Sequence, residues 1–314
     1  MDPVLRALLL SWDWRLEVLL VLLIAGSLYT RGWLRLRRAR RRQSFSRARG
    51  TSGNRLVSLH PLATGWRLAA YLAGLVTLAV ALMSPIDVLA SQLFLMHMVQ
   101  HKLLILIAPP LLLLANPLPF ILWGLPFGLR HRAGSFLSRG SALRHSLRAV
   151  TAPGLVWMAF VAVLLGWHDP NAYNAALRSE TVHDLEHLTF FGTAMLLWWH
   201  VIGAGPRLRT FPRGFRIAYV LSVVPVNMAI GVAIAFATQP IYTYYVGVPR
   251  LWGLSVLQDQ MLSGVIMWIP GSMMYIVAAL ILISRLVQAE ADKQPLPESE
   301  WANDEALVAP GVKP

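Results

Sequence analysis

Cysteine is absent from the 314 residues of the chain, and charged residues are scarce at 14%. The missing thiols exclude a disulfide framework, a zinc finger, a thiolate metal site and covalently attached haem. Soluble domains carry roughly 25% charged residues, whereas this chain is 56% apolar with a mean hydropathy of +0.54. Acidic residues are fewer than basic ones, with 15 Asp and Glu against 28 Lys and Arg, which gives a net charge of +13. The composition predicts an all-α, polytopic membrane protein.

Seven stretches are apolar enough for transmembrane helices, which need about 20 residues each. They cover about residues 14–29, 66–83, 88–123, 150–167, 182–202, 217–238 and 254–283. The third is predicted to begin near Val88 and to kink or end at the pair Pro109-Pro110, because proline removes a helix hydrogen bond. The predicted divisions are an external N-terminus at 1–13, a seven-helix membrane domain at 14–285 and an acidic, disordered tail at 286–314.

The basic residues fall in alternate loops. Ten Arg and no acid lie in residues 31–55, within a basic loop predicted at 31–65. The loops before the fourth and sixth spans are also rich in Arg. Because Lys and Arg concentrate in cytoplasmic loops, the N-terminus is predicted outside and the C-terminus in the cytoplasm. The arginine run 35–42 is interpreted as a topology signal that contacts anionic membrane lipid. It is not interpreted as a nucleic-acid site, because it lies directly beside a span and lacks interleaved aromatics.

Two histidine pairs lie near the predicted external face. His97 and His101 are four residues apart in the third span, and His183 and His187 repeat this spacing at the start of the fifth. Residues at i and i+4 share a helix face, so each pair can direct two imidazoles at one ion. Ionisable groups inside spans are rare and are functional hypotheses by default. The four His are therefore the predicted metal ligands.

Other polar side chains near this face are candidate accessory residues. Glu180 and Asp184 share a helical stripe with the second histidine pair and are placed to orient an imidazole. His168 and Asp259 lie at or near the outer ends of other spans, and Met267 lies on one face of the last span. Imidazole with thioether suits copper, and imidazole with carboxylate suits zinc equally well. The residues alone do not decide between copper and zinc, and haem b is a further open alternative.

The sequence resembles the seven-helix cytochrome c oxidase assembly factors of the CtaG type in four blocks that follow one another in order. The blocks are His97-Met98-Val99-Gln100-His101 with the downstream prolines, Trp167-His168-Asp169-Pro170, Val182-His183-Asp184-Leu185-Glu186-His187-Leu188, and Asp259-Gln260 through Pro270-Gly271. The motif positions carried over are His97, His101, His168, His183, His187, Asp259 and Met267. Lys102 departs from the apolar residue that the family pattern leads us to expect.

The resemblance implies a multi-pass protein of the bacterial cytoplasmic (inner) membrane that is needed to build haem-copper cytochrome c oxidase. Copper would be held in the outer half of the membrane and handed to the oxidase copper centre. The implied partners are an oxidase subunit and an external copper donor, with membrane lipid around the chain and no nucleic acid. No nucleophile, phosphate loop or acid–base dyad is evident, so the chain is not predicted to be an enzyme.

Three rival functions use the same residues. A bis-imidazole haem protein would take one His from each pair. A copper or cation permease would need a polar path across the whole membrane, for which Lys102 and His200 are the inner candidates. A zinc-dependent intramembrane hydrolase would use the same His with Asp or Glu as base.

Overall fold

The computed structural model describes residues 11–48, 63–136, 138, 140–205 and 211–291, and within these ranges the chain is helical without strands. The helices are α1 (Leu16–Ala48), α2 (Gly65–Met83), α3 (Pro85–Ala90), α4 (Phe94–Lys102), α5 (Ala108–Leu114), α6 (Pro117–Gly124), α7 (Phe127–Phe136), α8 (Ala142–Val150), α9 (Pro153–Trp167), α10 (Pro170–Arg178), α11 (Glu180–Ile202), α12 (Arg213–Leu221), α13 (Val223–Ala235) and α14 (Val256–Ala291). A π-helical segment, Leu103–Ile107, joins α4 to α5, and a 3₁₀ turn, Thr243–Val246, lies between α13 and α14. The predicted all-α class is confirmed.

Five helical stretches in the described part of the chain are long and apolar enough to cross a membrane. They are Leu16–Ala39, Gly65–Met83, Phe94–Leu114, Arg213–Ala235 and Val256–Ala291. The pair α8 and α9, bent by 55°, makes a sixth if it forms one span. Helix α11 has 23 residues but is not among the five, because its acids and histidines lower its hydropathy. These stretches indicate a multi-pass membrane protein, whereas the count of seven spans and the orientation stay predictions.

The third predicted span differs from its prediction at both ends. Residues near Val88 belong to the short helix α3, and the long helical stretch begins only at Phe94, so the predicted start is six residues too early. The predicted end at Pro109 and Pro110 is not found, because these prolines lie in the first turn of α5, where a missing N–H is tolerated. The alternative, a kink at this pair, stays a prediction. The helix ends at Leu114, and α6 is a separate element.

Two helices continue beyond their apolar segments. Helix α1 runs through the first part of the predicted basic loop to Ala48, and α14 runs to Ala291, past the predicted start of the tail at residue 286. The helical conformation of residues 286–291 corrects the expectation of disorder there. The rest of the predicted tail and of the basic loop, residues 292–314 and 49–62, lies outside the described residues, as do residues 1–10.

Helices α4 and α11 occupy the interior of the bundle. Helix α4 packs against α3 and α14, while α11 packs against α5, α9 and α10. Phe94, Phe160 and Phe190 are fully buried members of the core around them. Glu186 and His187 of α11 are buried against neighbouring helices, which is how a helix of modest hydropathy is accommodated in a membrane bundle.

Helices α1 and α6 approach each other at two glycines. A Cβ at Gly32 would overlap the backbone carbonyl of Phe120, and a Cβ at Gly124 would overlap that of Leu28. Small residues permit this backbone contact, which supports helix association where the hydrophobic effect does not. The two glycines thus fix how α1 joins the bundle.

Replacing Gly32 with alanine is expected to destabilise the protein by about 1–3 kcal/mol, the usual cost of overpacking. Gly154→Ala is the matched control, because a Cβ at this helical glycine meets nothing within 4 Å. The control should be neutral or slightly stabilising, since alanine is the better helix former. Thermal unfolding in detergent measures both, and equal midpoints for the two variants would contradict the close contact.

Candidate metal centre

The structure brings the two histidine pairs together. The Nε2 atoms of His97 and His101 are 2.8 Å apart, and the ring centroids of His183 and His187 are 4.1 Å apart. Across the helix interface, the ring of His97 lies 5.1 Å from that of His183 and 6.1 Å from that of His187. The i, i+4 spacing on α4 and on α11 therefore presents four imidazoles to one small region of the interface.

Glu186 completes the cluster, although the sequence analysis did not assign it to the site. Its two carboxylate oxygens lie 3.5 Å from the Nε2 atoms of His97 and His101, one oxygen to each ring. The Glu186 side chain is fully buried, with 0% of its surface exposed. The missed signal is a further acid directly before His187, in a helical segment where a buried charge requires a partner.

The ligand atoms fall into two groups that share one residue. His97, His183 and His187 form an outer group, and His97, His101 and Glu186 form an inner group. Within each group the candidate ligand atoms lie within 4.8 Å of one another. Three donors at this separation can close on a metal ion with small side-chain movements, since metal–nitrogen bonds are about 2.0–2.1 Å long. His97 is the donor common to both arrangements.

Most donor atoms of the cluster lack another partner among the described residues. This holds for His101 Nδ1, His183 Nε2, both nitrogens of His187 and both oxygens of Glu186. Buried polar groups are normally hydrogen-bonded, and each exception needs an explanation such as an ion. Several unpartnered donors around one point indicate a cation as the missing partner.

The hydroxyl of Tyr245 contacts Nδ1 of His97, the ring nitrogen that does not face His101 and Glu186. This hydroxyl donates to the carbonyl oxygen of Ala90 at 2.9 Å and lies 3.4 Å from His97 Nδ1. With its proton committed to Ala90, the Tyr245 oxygen accepts from Nδ1–H of His97, which leaves the lone pair on Nε2. Contacts of this kind fix the tautomer and orientation of a ligating His. Tyr245 therefore directs the His97 Nε2 atom toward His101 and Glu186.

Tyr245→Phe is expected to weaken metal binding by about 10–100-fold, the usual effect of removing a group that orients a ligand. Tyr242→Phe is the matched control, because its buried hydroxyl also donates to a backbone carbonyl, that of His168, but not to a site histidine. Competition with a chromophoric chelator measures both affinities. Equal losses in the two variants would show that the effect is one of general packing.

The predicted accessory acids have other partners. Asp184 accepts two hydrogen bonds from the Arg15 guanidinium, at 2.7 and 2.6 Å, and this pairing raises the pKa of Arg15 above its ordinary value. Asp259 accepts from the backbone N–H groups of Phe94 and Leu95 and from Arg250. Asp259 thus caps the first turn of α4, three residues before His97. It positions this helix and belongs to neither group of candidate ligands.

The other predicted accessory residues lie outside the two groups. The Nδ1 atom of His168 donates a hydrogen bond to the carbonyl oxygen of Leu164 at 2.6 Å. Glu180 lines a cavity at the outer end of α11. Met267 is fully buried in the core of the bundle. The Lys102 ammonium reaches α14 beside Gly271, and among the described residues no carboxylate forms an ion pair with it.

The sequence matches a protein family described as "Cytochrome c oxidase caa3 assembly factor" over residues 27–289. The chain belongs to this family. The match covers all the helices of the site and agrees with the resemblance noted from the four sequence blocks. The family is one of assembly factors and not of enzymes, as predicted.

The chain is also similar to uncharacterized proteins of mycobacteria. It is 26% identical to one from Mycobacterium bovis over 248 residues, which cover 76% of this chain and 37% of the relative. It is 27% identical to one from Mycobacterium leprae over 229 residues, which cover 70% of this chain and 34% of the relative. The chain thus spans little more than a third of the length of these relatives. No solved structure matches it.

Proposed function

We propose that the protein assembles haem-copper cytochrome c oxidase by holding copper in its outer half and passing the ion to the oxidase copper centre. The observation that carries this proposal is the buried convergence of His97, His101, His183, His187 and Glu186, with donor atoms that lack partners. The membership of the family supplies the oxidase as partner. The donor set contains no thiolate, which suits a carrier that must release its cargo.

The proposed topology has seven spans, with the N-terminus outside and the C-terminus in the cytoplasm of a bacterial inner membrane. In this topology α11 and the α8–α9 pair each cross the membrane beside the five apolar stretches. The Arg15–Asp184 contact supports it, because it places the start of α1 at the same end of the bundle as the start of α11. The metal centre then lies near the external face, where an external copper donor has access.

The close packing of the rings favours a small cation over haem. His101 and Glu186 lie in direct contact with His97, in the region that a porphyrin ligated by His97 and an α11 histidine would have to occupy. A mixed set of imidazoles and one carboxylate also accepts zinc. Copper is proposed over zinc because the copper-containing oxidase is the object of assembly.

Oxidase activity in cells that lack the native protein tests the assembly role. Wild-type protein should restore activity, and His97→Ala, which removes a donor from both groups, should fail to do so while still reaching the membrane. The copper content of the purified oxidase should fall with its activity. Restored activity with His97→Ala, or oxidase that is inactive but fully loaded with copper, would overturn the copper role and leave an assembly role of another kind.

A further inference from the structure

A cavity of about 310 Å³ opens at the outer end of the bundle, next to the metal centre. Its wall is formed by the segment before α1, by α3, by α10 and by the start of α11. The polar residues of the wall are Asp13, Arg15, Asp87, Ser91, Arg178, Glu180 and His183. The cavity therefore lies at the end of the bundle where the proposed topology places the external medium.

His183 belongs both to this wall and to the outer group of candidate ligands. It is half-buried, whereas His97 and His187 are buried. Its Nε2 atom has no hydrogen-bond partner among the described residues. Of the residues described, His183 alone is shared by the cavity wall and the metal-capable groups, so it connects the two.

The charges of the wall favour a cation. Asp13, Asp87 and Glu180 contribute three carboxylates, against the guanidinium groups of Arg15 and Arg178. Arg15 is already paired with carboxylates outside the wall, Asp184 at 2.6 Å and Glu17 at 3.0 Å. Burial raises the pKa of Asp87 to about 6, against a hydrogen bond from Gln100 that lowers it, so this carboxylate is ionised at neutral pH. With Arg15 paired in this way, three carboxylates stand against the one guanidinium of Arg178, and an excess of negative charge in a cleft concentrates cations.

We propose that this cavity is the entrance of the metal cation, and that His183 is the residue that takes the ion from it. The ion then passes to His97 and His187, and from this outer group to His101 and Glu186 while His97 stays bound. Each step exchanges one metal–ligand bond for another, without change in the oxidation state of the metal. This inference rests on the proposed function, because it assigns an access route to the same centre.

The absence of cysteine allows a direct test with a single introduced thiol. Ser91→Cys places the thiol in the cavity wall, and Ser135→Cys is the matched control. Both serines are exposed and donate to the carbonyl three residues earlier, Ser91 to Val88 and Ser135 to Arg132. Each purified full-length variant is capped either with a small methylthio group or with a large polyethylene glycol maleimide. Cu(I), supplied from a chromophoric chelator, is the probe.

The large cap on Ser91→Cys is expected to abolish the fast phase of Cu(I) loading, while the small cap leaves it unchanged. Both caps on Ser135→Cys should leave it unchanged as well. Equal loading of the two variants with large caps would overturn the entrance and leave the metal centre standing. Failure of the uncapped wild-type protein to bind Cu(I) would instead overturn the proposed function, so the two failures are distinguishable.

His183→Ala provides the second measurement. Loading should become slow in this variant while the inner group still retains Cu(I), because His97, His101 and Glu186 are unchanged. Fast loading in His183→Ala would contradict its role as the receiving ligand, even if the final metal content fell.

Discussion

Replacing His97 with alanine is expected to remove metal binding by the purified protein. His97 belongs to both groups of candidate ligands, so its loss leaves each group with two donors. Two donors in a buried site hold a metal ion far less tightly than three, and the described residues contain no group of three donors near this point that excludes His97. The loss should exceed the approximately 10–100-fold effect of changing a residue that only orients a ligand.

The matched variants are His183→Ala and His101→Ala, because each removes a donor from one group and leaves the other complete. Both should retain measurable affinity and near-normal metal content at saturation. Metal analysis after gel filtration, with competition titration for affinity, compares the three proteins. If His97→Ala is no worse than His183→Ala, the two groups do not share their metal through His97, and a site formed by all four imidazoles at once becomes the better description.

The positions of the helices were predictable where an apolar stretch is also long enough to span a membrane. The apolar cores of α1, α2, α13 and α14 fall where the sequence placed spans, because uninterrupted apolar residues leave a membrane helix as the only satisfied backbone conformation. Helix ends were less predictable. The start of α4 is capped by Asp259, a residue 165 positions away from Phe94, and such a long-range cap cannot be recognised from the local sequence.

The part of the candidate site that helical periodicity could predict is the two histidine pairs. The spacing of His97 with His101, and of His183 with His187, is local and gave both pairs. Which acid joins them depends on how α11 is rotated against α4, and this is a property of packing. A polar stripe drawn through the second pair selects Asp184, but in the structure this acid turns to Arg15, and Glu186 faces the histidines of α4.

Glu186→Gln is expected to have opposite effects on the metal-free and the metal-bound protein. Glutamine has nearly the shape of glutamate but carries no charge. Without metal, the change relieves the burial of a carboxylate whose oxygens have no hydrogen-bond partner among the described residues. It should therefore raise the stability of the metal-free protein, because a neutral amide costs less to bury than an uncompensated carboxylate.

With metal, the same change should reduce affinity and the thermal stabilisation that bound metal provides. A cation in a low-dielectric interior needs a compensating charge, and Glu186 is the one fully buried acid within 3.5 Å of the described imidazoles. Since ligand stabilisation grows with the logarithm of concentration over dissociation constant, thermal unfolding at several Cu(I) concentrations measures both effects in one series.

Glu186→Asp separates charge from reach in the same series, because it keeps the carboxylate but draws it back from the rings by one methylene. It should retain the low stability of the metal-free wild type and still lose affinity. A Gln variant that is less stable without metal and binds as tightly as wild type would show Glu186 to be a packing residue. For Glu186→Gln, stability should therefore rise without metal and fall, relative to wild type, with metal. This pair of opposite changes is specific to a carboxylate that is buried to bind a cation, since the loss of a structural hydrogen bond would change both stabilities in the same direction.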